Sequence, residues 1–163
     1  MKKTIITMLA AVLVGTSTLA DDTKTDAIYK AVHENSFRLE EEKARDQYRH
    51  PEALLRFSGV TPSSITIEVN PGGGWYSRII APLVKDKGRY IALEANPERY
   101  SGNYAKNLKV YAEKITSNPA LYGEKAIASW FETSPSAIKA GSVDIAFAVR
   151  TIHNFARRGF LDT

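Results

Sequence analysis

The chain has 163 residues, 44% hydrophobic and 25% charged, with 22 basic and 18 acidic side chains and no cysteine. That length supports one domain, and the absence of cysteine excludes disulfide staples and thiolate metal sites. The basic residues are dispersed rather than gathered into a stripe, which excludes a nucleic-acid footprint and leaves a small-molecule substrate as the expected partner.

The first element is MKKTIITMLAAVLVGTSTLA. Two lysines, an apolar stretch from Ile5 to Gly15 and small residues ending at Ala20 have the layout of a secretory signal peptide, so cleavage after Ala20 and a periplasmic destination are expected. The alternative is a retained anchor, but the apolar stretch is shorter than the roughly 20 residues of a bilayer span, and no membrane span is expected after cleavage. Losing Lys2 and Lys3 leaves 20 basic residues against 18 acidic ones, so the charge excess largely belongs to the signal.

Residues 21–60 read as an N-terminal helical segment. Thr25 to Arg45 places Ile28, Val32 and Leu39 among charges, with Thr25 or Asp26 as a cap, and Glu40, Glu41 and Glu42 read as a solvated face rather than a metal site. Pro51 starts a short helix expected to carry Leu54, Leu55 and Phe57 inward, and Gly59 ends it.

Residues 61–163 read as an α/β domain. The first strand is Ile65 to Val69, followed by the glycines and a helix from Trp75 to Lys85 that Pro82 should cost a hydrogen bond. The second strand is Arg89 to Leu93, then a helix from Glu98 to Ile115, a third strand from Ala126 to Phe131 and a fourth from Val143 to Val149. This alternation, with continuous apolar strands, predicts a Rossmann-like, doubly wound parallel sheet in three αβα layers, incomplete because only four strands are present.

The stretch ITIEVNPGGGWY carries the strongest chemical signal. Gly72, Gly73 and Gly74 let a ligand approach the main chain, and the helix beyond offers unpaired N–H donors. Glu94 ends the second strand 22 residues after Gly72, near the offset at which a nucleoside site places its ribose carboxylate, although an exposed loop acid has the same appearance. Ligands of such folds lie beyond the carboxyl ends of the strands, where this chain puts Glu68 to Gly74, Glu94, Glu132 and the run RTIHNF. In that run Arg150, His153 and Asn154 supply three hydrogen-bonding groups directly after a buried strand; a histidine there is often structural, but the trio favours a site.

These residues resemble the class I S-adenosylmethionine-dependent methyltransferases, whose first motif is an acidic residue followed by glycines after strand one. More narrowly, RDQYRHP, EVNPGGGWY and VRTIHNF, in that order and spacing, are similar to an exported predicted methyltransferase group that carries a signal peptide. The resemblance runs from about Ala44 onward and implies a methyltransferase that uses S-adenosylmethionine. It implies that Gly72, Gly73 and Gly74 lie against the methionine part of the cofactor, with Glu68 positioning the turn and Asn70 standing where the first glycine usually is. Asn70 tolerates the left-handed conformation better than most residues, so the turn is expected to survive. Glu94 would bind the ribose hydroxyls, Phe131 and Glu132 would contact adenine, and Arg150, His153 and Asn154 would lie beside the transferable methyl group. No metal site is implied.

Arg45 and Arg49 have the paired donors to anchor a carboxylate of cofactor or substrate; salt bridges within the N-terminal helix are the alternative. Family members continue through a fifth strand and an antiparallel pair, so the expectation is a truncated sequence. Two rivals stay open: a non-catalytic exported nucleoside-binding protein, including an inactive truncated product, and a nicotinamide-dependent oxidoreductase. The second is disfavoured because PGGGWY lacks the third glycine of GxGxxG.

Overall fold

The computed structural model describes residues 26–131 and 138–157. Residues 1–20, read as the signal, and Glu132 lie outside the described residues. Among those described, no helix is long and apolar enough to cross a membrane.

Four parallel strands form one sheet in the order β3-β2-β1-β4: β1 Ile65–Val69, β2 Arg89–Glu94, β3 Ile127–Trp130 and β4 Ile145–Phe147. With its flanking helices, this is the expected incomplete Rossmann-like α/β architecture, and sequence order reverses between β1 and β4. β1 pairs with β2 from Ile65↔Arg89 to Val69↔Leu93, and with β4 from Thr66↔Ile145 to Glu68↔Phe147. Gly88 fixes the approach to β2, because a Cβ there would lie 2.1 Å from the Ser64 carbonyl oxygen.

Four helices precede the sheet: α1 Ala27–His33, α2 Glu40–Lys43, α3 Asp46–Arg49 and α4 Pro51–Ser58. Asp26 caps α1 by accepting from the Tyr29 N–H, and Gly59 ends α4 at φ 70°. Helices α5 Ser77–Val84, α6 Gly102–Ser117 and α7 Pro119–Tyr122 connect β1 to β2 and β2 to β3, and α8 Ile152–Arg157 follows β4. One core joins both parts of the chain: Val32 and Leu55 are buried with Ile79, Ile80, Val84 and Tyr90.

Several local expectations are corrected. Phe57 does not face inward but is 94% exposed, while Leu55 is fully buried. Two residues on an α-helix are about 200° apart, so the face that buries Leu55 turns Phe57 outward. Leu39 is also exposed. Glu42 leaves the solvated face assigned to its run and is buried against Arg78. The helix expected from Trp75 begins at Ser77, because Gly74 takes φ 74° and keeps Trp75 and Tyr76 in the turn. The helix expected from Glu98 is divided into a 3₁₀ turn, Pro97–Arg99, and α6, with extended backbone at Tyr100 and Ser101 between them.

Pro82 sits inside α5, where its missing N–H leaves the Arg78 carbonyl without a helical donor. The Asn35 side chain fills that role by donating to the Arg78 carbonyl and also to that of Ala31. The N-terminal segment thus repairs the defect in the first helix of the sheet domain.

Candidate active site

The glycine turn leaves β1 at its carboxyl end. Asn70 takes φ 53°, Gly72 φ 59° and Gly74 φ 74°, and the Gly74 N–H closes the turn on the Pro71 carbonyl at 3.0 Å. The Asn70 side chain donates to Thr151 Oγ1 at 2.9 Å, joining this turn to the loop after β4 where the strand order reverses.

The three glycines do different work. A Cβ on Gly74 would stand in ordinary contact with Ser77 Oγ and Tyr111 Oη at 3.4 Å, so it is the positive φ that favours glycine there. Gly72 needs its positive φ, but a Cβ on it would approach nothing nearer than 4.0 Å. Gly73 lacks positive φ and, among the described residues, has nothing within 4 Å of where a Cβ would stand. Neither backbone nor protein packing demands glycine at 73, and its main chain borders open space.

Glu94 ends β2 beside the turn. Its Oε1 accepts the Gly72 N–H at 3.0 Å, and the residue is only 4% exposed. The acid and the glycines are therefore adjacent across β1 and β2. The Phe131 N–H donates to the Glu94 carbonyl at 2.8 Å. The Phe131 ring meets Phe155 of α8 edge-on, with centroids 5.4 Å apart. Since β3 and β4 are opposite edges of the sheet, about 14 Å apart at ordinary strand spacing, this pair reaches across the carboxyl ends of the strands.

Glu68 lies beneath the turn rather than at its open edge. Its Oε2 accepts both the Ser77 hydroxyl at 2.7 Å and the Tyr90 hydroxyl at 2.6 Å. Ser77 in turn contacts Tyr111 Oη at 2.8 Å. Burial pushes the Glu68 carboxyl up to about 7, with the Glu94 charge adding to the effect and the Tyr90 and Ser77 hydroxyls opposing it. The same burial, together with the Glu68 charge, raises the Tyr90 and Tyr111 hydroxyls. Glu68 thus ties the start of α5 to β1 and β2, a positioning role for the turn.

The three motifs that are distant in sequence line one cavity of about 640 Å³. RDQYRHP contributes Arg45 and Arg49, the glycine turn contributes Gly73 and Trp75, and the loop after β4 contributes Arg150, His153 and Asn154. The volume suits a small molecule. Glu94 and Phe131 do not line this cavity and stand on the β2 and β3 side of the turn. Arg150 holds φ 57°, an uncommon state for a residue of its size.

Trp75 organises the cavity wall, and sequence reasoning assigned it no role. Its indole N–H donates to the Glu42 carbonyl at 3.2 Å, and the guanidiniums of Arg38 and Arg49 lie over its ring at 5.0 and 4.6 Å from the centroid. Arg38 is bound to Asp46 by two hydrogen bonds of 2.6 and 2.8 Å. Arg78 is held by Glu42 through Nε and Nη2, and its Nη2 also donates to the Gly73 carbonyl at 3.2 Å. Burial alone would raise Glu42, but Arg78 and the Leu39 N–H outweigh it and hold the carboxyl below its ordinary value. Arg45 and Arg49 form no ion pair among the described residues, so the expected alternative of helix salt bridges is not realised. The presence of WY after the glycines was the available signal for this wall; its long-range partners had none.

No described group of histidine, cysteine, aspartate or glutamate is placed to hold a metal ion. Searches of family models, curated proteins and solved structures return no match to this chain.

Proposed function

We propose that this chain is an S-adenosylmethionine-dependent methyltransferase acting on a small molecule, exported with residues 1–20 as its signal peptide. One observation carries the reading: Gly73 is glycine without a backbone or packing need, on a turn whose neighbour Gly72 touches a strand-end carboxylate, Glu94. A cofactor lying against that main chain accounts for the glycine at 73. In this reading the turn of Gly72, Gly73 and Gly74 would lie against its methionine part, Glu94 would exchange its bond to the Gly72 N–H for the ribose hydroxyls, and Phe131 would contact adenine.

When bound, S-adenosylmethionine supplies an electrophilic methyl group. The chain's own contribution is positioning and exclusion of water, since in-line approach of the acceptor matters more than a special catalytic group. His153 borders the same cavity as Gly73, so its imidazole takes the acceptor's proton, while Arg150 and Asn154 orient the acceptor. Replacing His153 with alanine should abolish turnover on an identified acceptor yet leave cofactor binding intact; full turnover would remove the role.

Calorimetric titration with S-adenosylmethionine, S-adenosylhomocysteine and NAD tests the reading. The two sulfur nucleosides should bind, NAD should not, and Gly73→Ala should weaken binding at least tenfold with no change in melting temperature. Binding of NAD alone would favour the oxidoreductase. Binding of neither class, or unaltered binding by Gly73→Ala, would overturn the proposal.

A further inference from the structure

Three guanidiniums face the cavity without carboxylate partners among the described residues: Arg45, Arg49 and Arg150. They come from two motifs more than a hundred residues apart, α3 and its N-cap on one side and the loop after β4 on the other. The other cations nearby are ion-paired, Arg78 with Glu42 and Arg38 with Asp46, although Arg38 Nε, like that of Arg49, is buried without a hydrogen-bond partner among the described residues. Of the two acids on the cavity wall Glu42 is thus engaged, which leaves Glu41, an exposed residue, to face three positive charges.

Arg49 is the built element of the group. Its guanidinium is laid on the Trp75 ring and lies 5.9 Å from the centroid of Tyr76, whose hydroxyl donates to the Arg49 carbonyl at 3.1 Å. Its Nε is buried with no hydrogen-bond partner. Such a donor costs free energy unless something accepts its proton. Burial lowers the Arg49 guanidinium from its ordinary range, and the charges of Arg45 and Arg150 lower it further. Holding like charges together around an open volume is unfavourable in the empty site and becomes favourable when an anion enters, and planar guanidiniums match the oxygens of a carboxylate or phosphate.

We propose that Arg45, Arg49 and Arg150 form an oxyanion-binding site that recognises an anionic group on the methyl acceptor. The assignment to the acceptor rests on the methyltransferase reading, whereas the anion site itself does not. A cofactor carboxylate can neutralise one of the three cations, and the remainder selects an acceptor that carries its own negative charge. A neutral acceptor of the same shape would leave the clustered charges unneutralised and the buried Arg49 Nε unpaired, and would bind more weakly.

The experiment is thermal-shift titration of the full chain with inorganic phosphate at fixed ionic strength, alone and with saturating S-adenosylhomocysteine. Wild type should be stabilised saturably. Arg45→Glu and Arg150→Ala should each weaken phosphate at least tenfold, and Lys87→Ala, on the turn before β2, should not. Arg45 is exposed, so its variant keeps the result readable if Arg49 or Arg150 variants fold poorly. Stabilisation that never saturates, or equal loss in Lys87→Ala, would overturn the site. Complete displacement of phosphate by S-adenosylhomocysteine would assign the cations to the cofactor carboxylate and overturn the acceptor claim; unchanged or tighter phosphate binding supports it. Phosphate binding without any nucleoside binding would sink the methyltransferase reading and leave the anion site standing.

Discussion

Glu68 offers the sharpest test of the energetics under the glycine turn. The carboxyl is 4% exposed, and one oxygen receives both the Ser77 and Tyr90 hydroxyls. Burial lifts it from an ordinary value of 4.5 to about 7. A raised value in the folded state means that the fold prefers the neutral acid: the associated stability is complete below 4.5 and is lost as pH rises through 7. The displacement corresponds to about 3 kcal/mol, at roughly 1.4 kcal/mol for each pH unit. Glu68→Gln keeps an acceptor oxygen for both hydroxyls and cannot ionise. Urea denaturation of wild type and Glu68→Gln from pH 4.5 to 8.5 should show the stability difference moving by about 3 kcal/mol in favour of glutamine, most of it between pH 4.5 and 7. A constant penalty from the amide's own donors drops out of that comparison. A difference flat to within about 0.5 kcal/mol across the range would refute the buried, shared-oxygen arrangement.

Tyr90→Phe removes one of the two hydroxyls on Glu68 and should cost about 1–2 kcal/mol in urea denaturation at pH 5. Gly74→Ala should lower stability by about 1 kcal/mol, since its φ is positive, whereas Gly73→Ala should be near neutral; melting curves of the pair distinguish a structural glycine from one left open for a ligand. Arg78→Met strands the buried Glu42 carboxylate and should destabilise by about 3–5 kcal/mol by chemical denaturation, and Glu42→Leu in the same chain should recover part of that loss. An unchanged midpoint in Tyr90→Phe, Gly74→Ala or Arg78→Met would contradict these expectations, as would a clearly lowered one in Gly73→Ala.

The elements nearest the site were the most legible. β1 is bounded by Ser63-Ser64 and the glycine turn, and its five residues appear as read from the apolar run; β2 gains only Glu94. The meeting of PGGGWY and RTIHNF was legible as a shared location at strand ends, and the order of strands, which places β4 beside β1, brings it about; RDQYRHP lies in the N-terminal helices, and nothing local announced its place on the same cavity. Phe57 misled because α4 is two turns long, and in so short a helix apolar residues at 54, 55 and 57 do not define one face. Glu42 misled because its partner, Arg78, lies 36 residues away on another helix. Separation along the chain likewise hid the stacking of Arg49 on Trp75: local periodicity carries no information about contacts that only the folded chain creates.

The bond from Asn35 to the carbonyl below Pro82 has a consequence for how this molecule can be dissected. The seam at residue 60 divides the polypeptide by helix and sheet, yet an amide from before the seam completes α5 after it, and Val32 and Leu55 share a core with Ile79 and Tyr90. Expressing the sheet unit alone would expose an apolar flank and orphan a main-chain oxygen in the very helix that follows the glycine turn. The leading helices are a wall of the building rather than its porch.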